Sequence, residues 1–143
     1  MECISYKAGY KYQLFEEYCT DTPLQPEEDI VSNSDYISLS TTGTIVINKG
    51  YAWDGPSGPT IDTLNFMRAS LVHDALYQLM RENKLEPSRY QNQADRLLQK
   101  MCTADGMSAV RAWWIYQAVS KFGSSASSNS QLNTPIKAPK LCR

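Results

Sequence analysis

Between Gly50 and Pro59 the chain reads Gly-Tyr-Ala-Trp-Asp-Gly-Pro-Ser-Gly-Pro, a spacing of glycine and proline that no regular element survives. The segment reads as a shaped loop, and it divides the chain into halves with different hydrophobic periods. Before it, Tyr10, Tyr12 and Leu14 alternate loosely, so Tyr6 to Cys19 holds one or two strands. Thr22 to Asp29 is a proline-punctuated acidic loop. Tyr36 to Leu39 and Thr44 to Ile47 flank Ser40-Thr41-Thr42-Gly43, the pattern of a hairpin. After the loop the period changes to that of helices. Met67, Leu71, Ala75 and Leu79 mark a first helix over Leu64–Glu82, with Val72, Leu76 and Met80 widening its stripe. Pro87-Ser88 starts a second helix carrying Ala94, Leu97, Leu98 and Met101, and Asp105-Gly106 stops it. A third runs from Ser108 to about Phe122, with Trp113, Trp114 and Tyr116, and Gly123 is expected to end it. The fold class expected is α+β: N-terminal antiparallel strands with a hairpin, then a three-helix C-terminal half.

One domain is the default for 143 residues, and a chain of about this size buries roughly two thirds of its unfolded surface. The expectation is a single domain over residues 1–123 and a Ser/Pro-rich basic tail over 124–143, mobile or docked on a partner. The formal charge of −1 conceals a polarity: residues 1–63 carry −7, residues 64–105 carry +1, and residues 106–143 carry +5 without an acid. Nucleic acid is an unfavoured partner, because no net positive charge exists to displace counterions. The basic, aromatic third helix and the tail instead suggest docking on another protein, while two ends of one fold neutralising each other is the simpler account of the asymmetry. No apolar run approaches the ~20 residues of a membrane span, and no signal peptide is expected from Met1-Glu2-Cys3. The cysteines Cys3, Cys19, Cys102 and Cys142 form no close pair of the kind that zinc or redox sites use. Reduced thiols are the simplest reading, and a Cys3–Cys19 bridge between paired strands is the alternative.

The segment richest in chemistry is Leu71-Val72-His73-Asp74-Ala75-Leu76-Tyr77, which holds the only histidine of the chain. On a helix His73 and Tyr77 are i,i+4 neighbours and Asp74 and Tyr77 are i,i+3 neighbours, so the three polar heads share one edge. The loop delivers Asp54, and Gly55 and Gly58 permit the close backbone approach that turns carbonyls toward a cation. Asp95 sits inside the second helix, and a short connection near residue 85 brings it opposite His73 or Tyr77 if the helices are antiparallel. The competing readings are structural: a half-buried histidine bonding a carbonyl, and an exposed Asp95 pairing with Arg96 or Lys100. One histidine among several carboxylates favours Ca²⁺ or Mg²⁺ over zinc.

Asp54-Gly55-Pro56-Ser57-Gly58-Pro59, Arg68-Ala69-Ser70-Leu71-Val72-His73-Asp74-Ala75-Leu76-Tyr77, Ala94-Asp95 and Arg111-Ala112-Trp113-Trp114-Ile115-Tyr116 resemble the motifs of a phage and prophage family of small proteins with unassigned function. The resemblance covers about residues 43–123, and Pro56-Ser57-Gly58 departs from the family's loop pattern. It implies a phage-encoded protein acting in the host cytoplasm or the virion. The order of Gly55 and Gly58, His73-Asp74, Tyr77 and Asp95 is also similar to that of the secreted calcium-dependent phospholipases. That similarity implies His73 as the base that activates water, Asp74 as a metal ligand with the loop carbonyls, Asp95 as the group that orients His73, and Tyr77 as its hydrogen-bond partner. The disulfide cysteines that flank the histidine in that family are absent, and the spacing between the helices is shorter. Two functions are therefore carried forward: a metal-assisted hydrolase of an ester or amide with catalytic His73, Asp95 and Tyr77 and metal-binding Asp74, Asp54, Gly55 and Gly58, and a non-enzymatic phage accessory, virion or host-interaction protein whose His/Asp/Tyr cluster is structural.

Overall fold

Gly43 sets the register of the N-terminal sheet. It has φ +96°, a conformation that L side chains rarely adopt, and a Cβ there would collide with the Thr22 carbonyl and lie 2.7 Å from the Leu24 oxygen. Glycine therefore lets the hairpin β5 (Ile37–Leu39) and β6 (Thr44–Ile47) close while the neighbouring chain passes beside the turn. The computed structural model describes residues 4–6, 12–53, 64–127 and 136–138. Within them, β3 (Tyr18–Asp21), β6, β5 and β4 (Ile30–Val31) form a four-stranded antiparallel sheet in that order.

Period-two alternation gives this sheet one apolar face. Ile30, Ile37, Leu39, Ile45 and Ile47 are buried, whereas Val31 is exposed and Ser38 and Val46 are half-buried. Burying each such aliphatic side chain contributes about 2 kcal/mol. The apolar face joins one hydrophobic core with α1 (Leu64–Arg81) and α2 (Pro87–Ala104), through residues such as Val72, Leu76, Leu79, Leu97 and Leu98. The α+β arrangement expected from the sequence is thus present, strands first and three helices after.

The helix ends follow local chemistry. Asn83 has φ +60° and Lys84 N–H donates to the Leu79 carbonyl at 2.8 Å, a left-handed cap that stops α1. Pro87 opens α2, where a missing N–H costs nothing. Gly106, with φ +103°, closes it as Met107 N–H reaches back to the Cys102 carbonyl at 2.9 Å. α3 spans Ala109–Ser127 and so passes through Gly123, where the sequence suggested a stop. A glycine inside a helix costs only about 1 kcal/mol relative to alanine, which does not end a helix.

Two further strand pairs extend the sequence reading. Ala52–Trp53, inside the segment read as irregular, forms β7 and pairs antiparallel with β2 (Tyr12–Gln13). The glycine and proline spacing relaxes at Tyr51-Ala52-Trp53, and burial of Tyr51 and Trp53 makes an ordered ladder worthwhile there. Beyond the helices, β8 (Ile136–Ala138) pairs antiparallel with β1 (Ile4–Tyr6), so the two ends of the chain meet. Among the described residues, no helix is long and apolar enough to cross a membrane. Cys19 and Cys102 are free thiols, the first exposed and the second buried, and Cys3 lies outside the described residues.

Candidate functional site

The site begins with an acid in the wrong place for an acid. The buried stripe of α2 comprises Tyr90, Ala94, Asp95, Leu97, Leu98, Met101 and Cys102, and Asp95 is 1% exposed within it. An isolated carboxylate so placed is costly unless hydrogen-bonded. The partners come from α1, whose His73 and Tyr77 project one turn apart toward α2. His73 Nε2 lies 2.8 Å from Asp95 Oδ1, and the Tyr77 hydroxyl donates to the same oxygen at 2.5 Å. His73 and Tyr77 stack with ring centroids 4.2 Å apart, which holds both rings against rotation. The competing account of Asp95 as a surface acid is thereby corrected: Arg96 bonds Asn92 instead, at 3.0 Å. His73 bonds this carboxylate on α2 through Nε2 rather than a carbonyl.

The pairing joins the middle of α1 to the middle of α2, and the short connection between Arg81 and Pro87 makes the two helices antiparallel. Arg68 makes the same point further along: its Nε and NH2 group grip Asp105 at 2.9 and 2.8 Å, and its NH1 group reaches the Tyr18 hydroxyl at 3.0 Å. Asp105 and Tyr18 raise the Arg68 guanidinium further above its ordinary value, so its charge is permanent. A second brace joins sheet to helix, where Trp53 Nε1 donates to Ser70 Oγ at 3.1 Å and Ser70 donates to the Met67 carbonyl at 2.9 Å. These braces fix the height and rotation of α1 and hence where His73 points. Sequence reading missed both. Asp105 was legible only as a helix stop, and nothing in the spacing ties Trp53 to Ser70.

Electrostatics at the cluster follow from burial. The Tyr77 hydroxyl is held well above its ordinary value, first by burial and then by its hydrogen bond to the Asp95 carboxylate, with the charges of Asp95 and Asp74 adding. Tyr77 is therefore a neutral donor throughout the physiological range. A proton on His73 Nε2 satisfies the carboxylate and puts the ring's lone pair on Nδ1. Asp74 Oδ1 stands 4.0 Å from that nitrogen, and the Asp74 side chain is 32% exposed, so it marks the solvent side of the ring. The remaining candidates, Asp54, Gly55 and Gly58, lie outside the described residues. Among the described residues, no group of three or more His, Cys, Asp or Glu side chains is arranged to hold a metal ion. The helix face proposed for docking carries Val110, Trp113 and Trp114 at 69%, 47% and 63% exposure, with the two indoles edge to face at 5.0 Å.

No curated protein and no solved structure matches the chain. A protein-family profile described as "Protein of unknown function (DUF1353)" matches residues 29–119, a span that takes in β4 through most of α3 and every residue of the cluster. The profile covers well over half of the 143 residues, and the chain belongs to the DUF1353 family.

Proposed function

We propose that the chain is a hydrolase of an ester or amide in which His73 is the general base. The observation that carries this reading is the convergence of His73 Nε2 and the Tyr77 hydroxyl on one oxygen of a carboxylate shut away from water. A carboxylate so held keeps its orientation, and it stabilises the imidazolium that forms when the ring takes a proton. Water placed at Nδ1 gives up its proton there as its oxygen attacks the carbonyl carbon. The tetrahedral oxyanion then collapses, and the leaving oxygen or nitrogen takes the proton back from Nδ1. Asp95 orients the ring, and Tyr77 locks the carboxylate that does so. Asp74 is the described residue that would hold Ca²⁺ or Mg²⁺, with Asp54 and the backbone at Gly55 and Gly58 as the further donors. A cation there would polarise the carbonyl under attack. The motif resemblance supports a phage or prophage origin, with action in the host cytoplasm or the virion.

The second reading is a non-enzymatic phage accessory, virion or host-interaction protein, and the exposures of the cluster favour it: 8% at His73, 4% at Tyr77 and 1% at Asp95. On that reading the network only fixes α1 to α2, and the exposed tryptophans of α3 dock on a phage or host protein. His73→Asn and Asp74→Asn separate the two. For the hydrolase, His73→Asn removes turnover of an activated ester such as p-nitrophenyl butyrate with little change in melting temperature, and Asp74→Asn removes stabilisation by millimolar Ca²⁺ or Mg²⁺. A large loss of stability in His73→Asn, with the cation response intact in Asp74→Asn, sinks the hydrolase.

A further inference from the structure

β3 ends the four-stranded sheet, and among the described residues no strand pairs with its outer edge. The register shows which groups that edge offers. Thr22 N–H donates to the Gly43 carbonyl, and Cys19 and Asp21 stand opposite Val46 and Thr44. Antiparallel ladders alternate, so Thr20 and Tyr18 spend their amides on β6 while the N–H and C=O groups of Cys19 and Asp21 point outward. Both residues are exposed. An unpaired edge of this kind is a template for another strand.

Beside the edge lies a cleft of about 490 Å³, walled by Asp21, Thr22 and Pro23 on one side and by Arg96, Leu97 and Lys100 of α2 on the other. Leu97 is buried and gives the cleft an apolar floor. Arg96 and Lys100 are i,i+4 neighbours, so both cations overhang the same wall. Arg96 is pre-set: Asn92 holds its Nε at 3.0 Å and its guanidinium lies 5.3 Å from the centroid of the Tyr116 ring. Among the described residues neither cation is ion-paired to a carboxylate. Asp21, the acid of the cleft, is turned back on the sheet, where its Oδ1 accepts from Thr44 Oγ1 at 2.9 Å.

We propose that this edge and cleft bind an extended acidic segment of a partner polypeptide, which adds to β3 as a fifth strand and sets its carboxylates against Arg96 and Lys100. The backbone groups of Cys19 and Asp21 supply the pairing, and the two cations choose acidic side chains on the face turned toward α2. The site is separate from the His73 cluster and stands whether or not that cluster is catalytic.

The probe is a synthetic acetyl-Thr-Glu-Val-Glu-Val-Glu-Thr-amide, whose alternation places every glutamate on one face, titrated into the ¹⁵N-labelled full chain. Amide shifts are expected to cluster at residues 18–23 and 96–100. Lys100→Glu, an exposed change on α2, should weaken binding at least about tenfold. Cys19→Pro should abolish it while leaving melting temperature nearly unchanged, since that N–H is outside the β3–β6 ladder and proline is tolerated on an edge. The proposal is overturned if the peptide causes no shifts at millimolar concentration, if the analogue with lysine for glutamate binds as tightly, or if Lys100→Glu binds unchanged. Dimerisation of the free chain through β3, seen by light scattering and removed by Cys19→Pro, would likewise overturn it in favour of a second copy.

Discussion

Replacing Asp95 by alanine tests the cluster at its centre. One oxygen receives two donors, His73 Nε2 at 2.8 Å and the Tyr77 hydroxyl at 2.5 Å, and both donor residues are under a tenth exposed. Alanine leaves both donors buried without an acceptor, and each orphan costs about 1–3 kcal/mol. Relief from burying a carboxylate offsets part of that, so a net loss of about 3–4 kcal/mol is expected. For a chain of this size that is a fall of roughly 10–15 °C in melting temperature. Asp95→Asn is the control. Its amide oxygen still accepts both bonds, but neutral bonds are about half as strong as charge-assisted ones, so the loss should be about 1–2 kcal/mol. Urea unfolding followed by fluorescence of the three tryptophans gives both values. The chain's single histidine also allows a direct check, because its ring gives one set of ¹⁵N signals. The Nε2–H form is expected in the parent protein, and a mixture of tautomers in Asp95→Ala. A loss below about 1 kcal/mol for alanine, or equal losses for alanine and asparagine, would refute the claim that this carboxylate clamps two donors.

Three other outcomes follow from the same geometry. The folded state holds the Tyr77 proton more tightly than the unfolded chain does, so its contribution is intact below the unfolded value near 10 and is lost as pH rises above it; Tyr77→Phe should flatten that alkaline loss of melting temperature. Burial pushes the Cys102 thiol up to about 11, so iodoacetamide at pH 8 should label the exposed Cys19 long before Cys102, read by peptide mapping. Arg68→Lys should cost about 1 kcal/mol in urea unfolding, because an ammonium cannot grip Asp105 with two nitrogens while also reaching Tyr18; an unchanged midpoint would show that the fork is only a surface contact.

The periodic parts of the fold were legible because one physical rule dominates each. Alternation in Ile37–Leu39 and Thr44–Ile47 is enforced by a single buried face, and the stripe through Leu71, Ala75 and Leu79 by packing on a core. Boundaries set by a cap chemistry, such as Pro87 and Gly106, were legible for the same reason. Gly123 is the contrary case, a glycine that α3 runs through. A glycine ends a helix when the chain takes a left-handed turn there, as at Gly106, and composition does not say whether it will. The pairing of Ala52–Trp53 with Tyr12–Gln13 was hidden for another reason: a ladder of two residues has no period, and its partner lies some forty residues away.

The cluster was legible to the extent that one helix determines it. The i,i+4 spacing of His73 and Tyr77 makes them neighbours in any helix, and a short connection between helices limits where an acid on the next one can land. What spacing left open was whether Asp95 faces in or out, and the decisive signal is its place in the apolar stripe with Ala94, Leu98 and Cys102. A carboxylate at such a position must find buried donors, and within reach of the stripe α1 offers an imidazole and a phenol. Residues whose positions depend on tertiary braces carry no such signal. Arg68 with Asp105, and Trp53 with Ser70, are separated by 37 and 17 positions, and each pair makes sense only after α1 is seated. The order of cause runs from the braces to the cluster: they set the rotation of α1, that rotation aims His73 at Asp95, and the bond to Asp95 fixes the nitrogen on which the proposed chemistry depends.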